Sequence, residues 1–513
     1  MRTCQRALNH QDCKIRRRDS TVLCRLFPIS KERLSMSDFA YSTAIQTARA
    51  IANKEVSSRE LLQASLDRVS KLDGPINAVV ALDTERALNA ADKADQAVSD
   101  GEVLGPLHGV PITIKDSFQT EGVTTTSGAP ELSDFVPDGD ADPVARYKAA
   151  GAIVYGKTNL PIWAADLQSY NEVYGTTSNP YDIECTPGGS SGGSGASLAA
   201  GYTPLELGSD IGGSIRIPAH WSGICGHKPS YGIISARGQI PGMPGTLSQA
   251  DIAVSGPMAR DIDDLEMALD ILAGPDSWNE KAFTINLPPS RHENIKDFRV
   301  AVWIDEESAP ISEPYRQLLL GAASALESAG ANVDYDARPA FTFDKAVDTF
   351  FKLLSAAEAA TWSLSKLEEI ASQGNDPQGE FGIWHATLRH REWLSWHERR
   401  MQQRDRWRQF FVNQDVVLLP VTLSEAIRHD HSTPFTNRTI NINGAERLYS
   451  DQIKWVGLTG VSLLPSTVVP IGMIDGKPVG VQIAGPFLED RTTLAVAKFL
   501  QSALGGFKKP NGF

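Results

Sequence analysis

The chain has 513 residues, of which 41% are hydrophobic and 22% charged, the composition of a soluble globular protein with a large core. Its formal net charge is −13, yet residues 1–35 hold nine Lys/Arg against three Asp/Glu, a balance of +6, so residues 36–513 carry −19. A body this acidic repels phosphate backbones, which argues against nucleic-acid binding as the main activity.

The basic N-terminal segment, residues 1–36, lacks apolar periodicity, and we expect a disordered extension before one domain at residues 37–513. Two interpretations of this segment stay open. Arg16-Arg17-Arg18 is typical of an organelle transit peptide, which would direct the protein to the mitochondrion. Three acidic residues in the same segment instead favour an upstream extension before a working start at Met36, in a cytoplasmic protein.

The cysteine content and the hydropathy pattern indicate in which cellular compartment the protein works. Three of the five cysteines fall in the basic segment, which leaves only Cys185 and Cys225 in the body. Two cysteines are no disulfide framework, so a reducing compartment is the simpler interpretation. The most apolar uncharged stretch, Val456–Ile474, is interrupted by glycines and prolines, which indicates buried strands and turns and no membrane span.

Helical and strand patterns alternate along the chain. Apolar residues recur at spacings of three and four from Thr43 to Val69 and again across Ala87–Val98, as in amphipathic helices. This alternation favours an α/β layered fold. The sequence further predicts strands at Pro111–Lys115, Ala152–Tyr155, Phe298–Trp303 and Val416–Leu419, and helices at Ser197–Ala200 and Tyr315–Ala329.

Two glycine-serine clusters lie between Thr186 and Gly226, and they place Ser214 24 residues after Ser190. Glycine allows close approach of a backbone to another group, at an entropic cost that a purely structural loop would avoid. The segment therefore indicates main-chain N–H groups directed at a ligand beside serine hydroxyls. Acyl transfer needs this combination of a nucleophile, a proton acceptor and donors for a developing oxyanion.

Two other segments match known sequence motifs but lack the local structure that those motifs require. Gly151–Thr158 fits the Walker A pattern, but its four middle residues are apolar and strand-forming where a phosphate cradle needs a flexible loop. Gly189–Gly193 fits the nucleophile elbow of α/β-hydrolases, but Thr186-Pro187 argues against a strand that leads into it. Neither motif predicts a function by itself.

Several blocks together resemble the amidase signature family. They run in the family's order from about Thr43 to Arg260 and return at Pro478–Pro486, whereas the stretch from Asn279 to Pro465 is much less constrained. The resemblance implies a single large α/β domain with a mixed β-sheet core covered by helices, and chemistry that needs no cofactor and no metal. The blocks are Leu104–Asp116, Gly151–Asn159, Gly188–Ser194, Gly208–Pro218 and Gly256–Arg260.

The resemblance also implies a catalytic triad without histidine, formed by Lys115, Ser190 and Ser214. Ser214 would be the nucleophile. Ser190 would follow a cis peptide bond from Gly189 and bridge Ser214 to Lys115.

Physical chemistry supports these roles independently. A lysine acts as a base only when uncharged, so its pKa, ordinarily near 10.4, must fall by several units. Lys115 ends an apolar strand, and burial there would lower its pKa. The neighbouring Asp116 should point to the opposite face of the strand, away from the ammonium.

The turn before Ser214 predicts an oxyanion hole. Successive N–H groups in such a turn converge on one anion, so we assign this role to the amides of Ile211, Gly212, Gly213 and Ser214. Asp210 and Arg216 flank the turn, and we expect them to pair and hold it, with a plain surface ion pair as the alternative.

Other chemistry-bearing residues have structural interpretations. The His429-Asp430-His431 triplet has no further ligand at a recognisable spacing, so a metal site is not predicted. We expect His220 and His227 to be packed core residues, although His220 follows Ser214 closely enough to shape the pocket. A helical stripe in the weakly constrained region, formed by Trp393, Trp396, Trp407 and Phe410, predicts core packing.

The sequence thus predicts an amidase that hydrolyses a carboxylic acid amide to acid and amine through an acyl-enzyme on Ser214. The Trp-rich variable region favours a small-molecule amide with a bulky apolar or aromatic group. One alternative is the glutaminase-type component of a glutamyl-tRNA amidotransferase complex, and another is a nucleotide-binding or scaffold protein. The oligomeric state stays open, with a homodimer as one option.

Overall fold

A computed structural model describes residues 39–360, 362–365, 367–368, 383–433 and 435–513. The extension expected at residues 1–36 lies outside the described residues. The strands, in chain order, are β1 Val79–Leu82, β2 Pro111–Lys115, β3 Ile153–Thr158, β4 Tyr170–Asn171, β5 Gly175–Thr176, β6 Leu205–Asp210, β7 Cys225–Lys228, β8 Val254–Ala259, β9 Arg299–Val302, β10 Asn332–Asp334, β11 Val416–Leu419, β12 Thr439–Ile442, β13 Ala445–Leu448, β14 Ser466–Ile474 and β15 Lys477–Ala484.

Helices separate and cover these strands. None within the described residues is long and apolar enough to cross a membrane. The helices are α1 Ala44–Ala52, α2 Ser58–Leu72, α3 Thr84–Ser99, α4 Asp142–Ala149, α5 Gly192–Ala199, α6 Arg216–Trp221, α7 Ile262–Leu272, α8 Glu313–Ser328, α9 Phe343–Ala359, α10 Ile383–Ala386, α11 His390–Phe410, α12 Lys454–Gly460 and α13 Asp490–Leu504.

An eight-stranded mixed sheet forms the centre of the fold, in the order β10-β9-β11-β15-β14-β7-β8-β6. The first three strands are parallel to one another, and every later neighbour is antiparallel. Strands β6, β7, β8 and β11 are buried along their whole length because helices cover the sheet. The predicted α/β fold with a mixed sheet core is confirmed.

A second, three-stranded sheet has the order β1-β3-β2, and β2 runs parallel to β3. Strand β2 coincides with the predicted strand and carries Lys115 at its end. Strand β3 contains most of the Walker-like pattern, so Lys157 and Thr158 are buried strand residues. The motif therefore lacks the flexible loop that a phosphate cradle requires.

The helix after the glycine-rich loop begins earlier than predicted. Helix α5 starts at Gly192, whereas the sequence pattern predicted a helix only from Ser197. Glycine disfavours helix when packing is ignored. Here, however, a Cβ on Gly193 would lie 2.3 Å from the backbone nitrogen of Asn159. The glycine lets α5 pack directly on the chain that follows β3, and this contact outweighs its low helix propensity.

Candidate active site

The Lys115 side chain is fully buried and ends among three serine hydroxyls. Its Nζ lies 2.7 Å from Ser190 Oγ, 3.0 Å from Ser191 Oγ and 2.9 Å from Ser209 Oγ. Ser209 comes from β6, and the two other serines come from the glycine-rich loop and the start of α5. The fold therefore brings residues up to 94 positions apart in the sequence into contact with the Lys115 amine.

Burial lowers the pKa of Lys115 to about 7, although the nearby carboxylates of Asp210 and Glu206 act in the opposite direction. The adjacent Asp116 does not reverse this shift. Its carboxylate accepts hydrogen bonds from Thr126 and lies 3.5 Å from Lys157 Nζ. The predicted separation of Asp116 from the Lys115 amine is therefore present, and an uncharged amine can exist near neutral pH.

Ser190 and Ser214 are both buried, with exposed fractions of 1% and 6%. The peptide bond between Gly189 and Ser190 is cis. The amide of Ser191 donates a hydrogen bond of 3.2 Å to the Ser214 carbonyl, which ties the two loops together. Among the described residues no hydrogen bond joins the Ser190 and Ser214 hydroxyls, so only the link from Ser190 to Lys115 is formed in this structure.

The turn before Ser214 presents main-chain amides in two different states. The Gly213 amide donates to the Asp210 carboxylate at 2.9 Å. The amides of Ile211, Gly212 and Ser214 have no hydrogen-bond acceptor in the part of the chain that the structure describes. Three of the four predicted oxyanion donors thus lack an acceptor among the described residues, whereas the fourth, the Gly213 amide, is already engaged by Asp210.

Asp210 and Arg216 form a completely buried ion pair of 2.8 Å on either side of this turn. Burial alone would raise the pKa of Asp210, but the Arg216 guanidinium lowers it to about 2. Arg216 also donates to the Val456 carbonyl, to Thr459 Oγ1 and to Gln482 Oε1. The predicted pairing is present, and the alternative of a surface ion pair is wrong because neither side chain is exposed to solvent.

An apolar wall from the weakly constrained region faces the same turn. A Cβ on Gly212 would lie 3.9 Å from both Phe350 Cζ and Leu354 Cδ2, which belong to α9. Both side chains are buried. The variable part of the chain therefore reaches the immediate surroundings of Ser214.

Sequence reasoning missed three residues of this site. Ser191 and Ser209 contact Lys115 directly, and Glu206 is a buried carboxylic acid on β6 whose pKa burial raises to about 7. Ser191 stands next to a predicted triad serine, and Glu206 interrupts an otherwise apolar run. These local signals existed, but only the packing of β6 against β2 shows that the side chains converge.

The remaining candidates occupy structural positions. His220 and His227 are buried and hydrogen-bonded, as expected for core residues. Trp407 is buried, and the other members of the aromatic stripe are partly buried against the core. The His431 ring stacks on Tyr170 with 3.8 Å between centroids. Within the described ranges no cluster of three or more His, Cys, Asp or Glu is arranged to hold a metal ion.

Known proteins resemble this chain over nearly its whole length. The family model described as Amidase matches residues 60–494. Fatty-acid amide hydrolase 2-A of Danio rerio is 32% identical over 95% of this chain and 92% of its own. The A-type subunit of the glutamyl-tRNA(Gln) amidotransferase of Natranaerobius thermophilus is 30% identical over 91% of this chain and 96% of its own.

Solved structures agree with this result. A chain from a vestigial protein complex, studied for the evolutionary origins of an s-triazine catabolic enzyme, superposes with a TM-score of 0.78. It is 29% identical, and the match covers 91% of this chain and all of the other. With its mixed sheet, its glycine-serine loops and its buried lysine, the chain belongs to the amidase signature family, hydrolases that act on non-peptide carbon–nitrogen amide bonds.

Proposed function

We propose that this protein hydrolyses a small-molecule carboxylic acid amide through an acyl-enzyme on Ser214, with Ser190 and Lys115 as the proton path. The observation that carries the proposal is the buried amine of Lys115, whose pKa is about 7 and which lies 2.7 Å from Ser190 Oγ. A base with a pKa near the working pH is the most effective proton acceptor.

The hydrogen-bond pattern around Lys115 suits the uncharged amine. A neutral amine has two N–H donors and one lone pair. Ser191 Oγ donates its own proton toward the Ser209 carbonyl at 3.3 Å, so it accepts from Lys115. In the uncharged state that we propose, Ser209 Oγ accepts the second N–H, and the 2.7 Å contact with Ser190 Oγ lets the lone pair of the amine accept the Ser190 proton. Ser190 can then take a proton from Ser214 once substrate binding brings the two hydroxyls, which are not hydrogen-bonded in this structure, into contact.

In the first half of the reaction, Ser214 Oγ forms a bond to the amide carbonyl carbon. The Ser214 proton moves to Ser190 Oγ as the Ser190 proton moves to Lys115 Nζ. The tetrahedral oxyanion lies against the turn Ile211–Ser214, where the main-chain amides of Ile211, Gly212 and Ser214 donate to it. Each such donor is worth about 3–4 kcal/mol of transition-state stabilisation.

The second half returns the proton and frees the acid. Lys115 gives its proton back through Ser190 to the amide nitrogen, the carbon–nitrogen bond breaks, and the amine leaves. Water then attacks the ester on Ser214 and passes a proton along the same path to Lys115. Collapse of the second tetrahedral intermediate releases the acid and restores the Ser214 hydroxyl.

We further propose that the acyl or amine group of the substrate is apolar or aromatic. Phe350 and Leu354 support this proposal, since both lie 3.9 Å from the Cβ position of Gly212 in the turn. Apolar pockets with few polar groups are typical of small-molecule sites.

The second candidate is the glutaminase-type component of an amidotransferase complex. Its support is the 30% identity to the Natranaerobius thermophilus protein over nearly both full lengths. Glutamine carries an ammonium and a carboxylate on the carbon three bonds from its amide carbonyl carbon, and the two side chains beside the turn, Phe350 and Leu354, are apolar and pair with neither charge. We therefore favour an apolar amide over glutamine as the substrate.

One panel separates the two candidates. The 4-nitroanilides of acetic, benzoic and octanoic acids and free glutamine are offered to wild type, Ser214→Ala and Lys115→Ala. We expect anilide turnover that Ser214→Ala abolishes and Lys115→Ala lowers steeply near neutral pH. Turnover that survives Ser214→Ala would refute the mechanism. Ammonia release from glutamine alone, increased by added partner proteins, would favour the amidotransferase component.

A further inference from the structure

A buried ion pair outside the proposed triad lies behind the loop that carries Ser190. Arg438 Nη1 donates to the Asp166 carboxylate at 2.8 Å, and the exposed fractions of the two side chains are 1% and 8%. Tyr449 and Tyr170 donate to the same carboxylate at 2.7 and 3.1 Å. Arg438 also donates to the Tyr170 oxygen and to the Ser432 carbonyl.

This pair fixes the chain segment 166–169, which we call the brace. Asp166 accepts a hydrogen bond from the amide of Leu167, so its carboxylate orients the brace backbone as well as its own side chain. Gln168 exchanges two hydrogen bonds with the backbone of Asp430. The brace is thus held from the same C-terminal part of the chain that supplies Arg438.

The brace packs directly on the Ser190 loop. A Cβ on Gly189 would lie 2.6 Å from the Asp166 carbonyl oxygen, so the two backbones are in contact. Ser169 Oγ donates to the Gly188 carbonyl at 3.0 Å and accepts from the Gly192 amide at 3.1 Å. The Ser190 loop is therefore bonded to the brace on both sides of Ser190.

We infer that the Asp166–Arg438 ion pair is a positioning element that holds Ser190 within hydrogen-bond distance of Lys115, and this inference rests on the proposed function. None of the groups that bond to the Asp166 carboxylate belongs to the proton path itself. When a buried carboxylate is neutralised, or its partner cation is removed, the hydrogen bonds that depend on the ion pair weaken. The brace then shifts, and Ser190 shifts with it.

A misplaced proton carrier changes kcat more than KM, because Ser190 takes part in bond making and only indirectly in substrate binding. Displacements of about 1 Å at a reacting group cost on the order of 100-fold in rate. We therefore expect Asp166→Asn and Arg438→Met to lower kcat for octanoyl 4-nitroanilide by about 10- to 100-fold, with KM changed less than about threefold. Arg438→Lys, which keeps the charge, should restore part of the loss.

A matched control removes a different buried carboxylate. The Asp415 side chain is also buried and is paired with Arg299 at 2.7 Å, and it contacts neither the brace nor the serine loop. Asp415→Asn should lower the melting temperature as much as Asp166→Asn and leave kcat close to that of wild type. Ser169→Ala removes a single hydroxyl from the brace, and it should lower kcat with little effect on folding.

The outcomes are distinct. Asp166→Asn with wild-type kcat, with a rise of KM alone, or with a loss of kcat equal to that of Asp415→Asn would overturn the inference. If Asp166→Asn does not fold, an unchanged kcat in Ser169→Ala would overturn it instead. Turnover that survives Ser214→Ala would overturn the proposed function, whereas wild-type turnover that all brace variants retain would overturn only the positioning role.

Discussion

Lys115 and Asp116 are neighbours in the sequence, yet their side chains enter separate buried networks. The Lys115 amine ends among serine hydroxyls, and the Asp116 carboxylate ends 3.5 Å from the Lys157 amine. Burial lowers the pKa of both lysines, to about 7 for Lys115 and about 8 for Lys157, and Asp116 counteracts it only for Lys157. Two buried amines on adjacent strands thus lie near different carboxylates, Asp116 beside Lys157 and Asp210 near Lys115.

The first prediction concerns the pH dependence of turnover. Lys115 accepts a proton only when uncharged, and its pKa is lowered from 10.5 to about 7. The value of kcat/KM should therefore rise as the pH increases through about 7 and level off above it. A pH–rate profile with a 4-nitroanilide substrate measures this. A profile that already levels off near pH 5 would point to a carboxylate base and against Lys115.

The second prediction concerns Ser191, which accepts an N–H from Lys115. Hydrogen-bond acceptors favour the ammonium form, so Ser191→Ala should lower the pKa of Lys115 further and move the rising limb of the profile to lower pH. The amine also becomes less well oriented, and we expect kcat to fall about tenfold.

Ser197→Ala is the matched control for this change. Ser197 is buried on α5, which begins directly after Ser191, and its hydroxyl lies 3.4 Å from Thr113 Oγ1 and is not a hydrogen-bond partner of Lys115. Removal of this hydroxyl should leave the rising limb of the pH–rate profile at the same pH. A limb that moves equally in both variants would show that general loosening of α5, and not the contact with Lys115, sets the pKa.

Sequence reasoning succeeded where a local pattern decides the structure. The alternating run Pro111–Lys115 became β2 with the predicted bounds, although both faces of this strand are buried. The pairing of Asp210 with Arg216 was also predictable, because only six positions and a tight turn separate them.

The parts that were missed depend on contacts between distant segments. Asp166 and Arg438 are 272 positions apart, and no periodicity near either residue indicates the other. The convergence of Ser209 on Lys115 depends on how β6 packs against β2. The early start of α5 likewise depends on the close approach of Gly193 to Asn159. Tertiary packing decided each case, and local propensity did not.

The third prediction concerns the stability of the Asp210–Arg216 pair. Arg216→Met leaves a buried carboxylate without its cation, which should cost about 3–5 kcal/mol of unfolding free energy at pH 7. The pKa of Asp210 in the folded protein, about 2, is below its ordinary value of 3.8. Its stabilising contribution is therefore present above pH about 4 and is lost as the pH falls through about 2.

Urea unfolding at several pH values tests this sign. The difference between wild type and Arg216→Met should be largest near neutral pH and shrink toward pH about 2. Arg59→Met, which breaks the exposed pair with Asp92, is the control and should change stability by less than about 1 kcal/mol. A difference that stays constant down to acid pH would assign the cost to lost packing instead of lost charge.

The fourth prediction concerns the apolar wall beside the nucleophile turn. Phe350→Ala opens space next to Gly212, so we expect the preference among acyl 4-nitroanilides to move toward longer chains by about 10- to 100-fold in relative kcat/KM. The same change should cost about 3–5 kcal/mol of stability, because Phe350 is completely buried.

Phe343→Ala is the matched control on the same helix. Phe343 packs on Trp455 with 4.8 Å between ring centroids, so its loss should destabilise the fold and leave chain-length preference unchanged. Equal shifts in both variants would mean that α9 supports the fold and does not select the substrate.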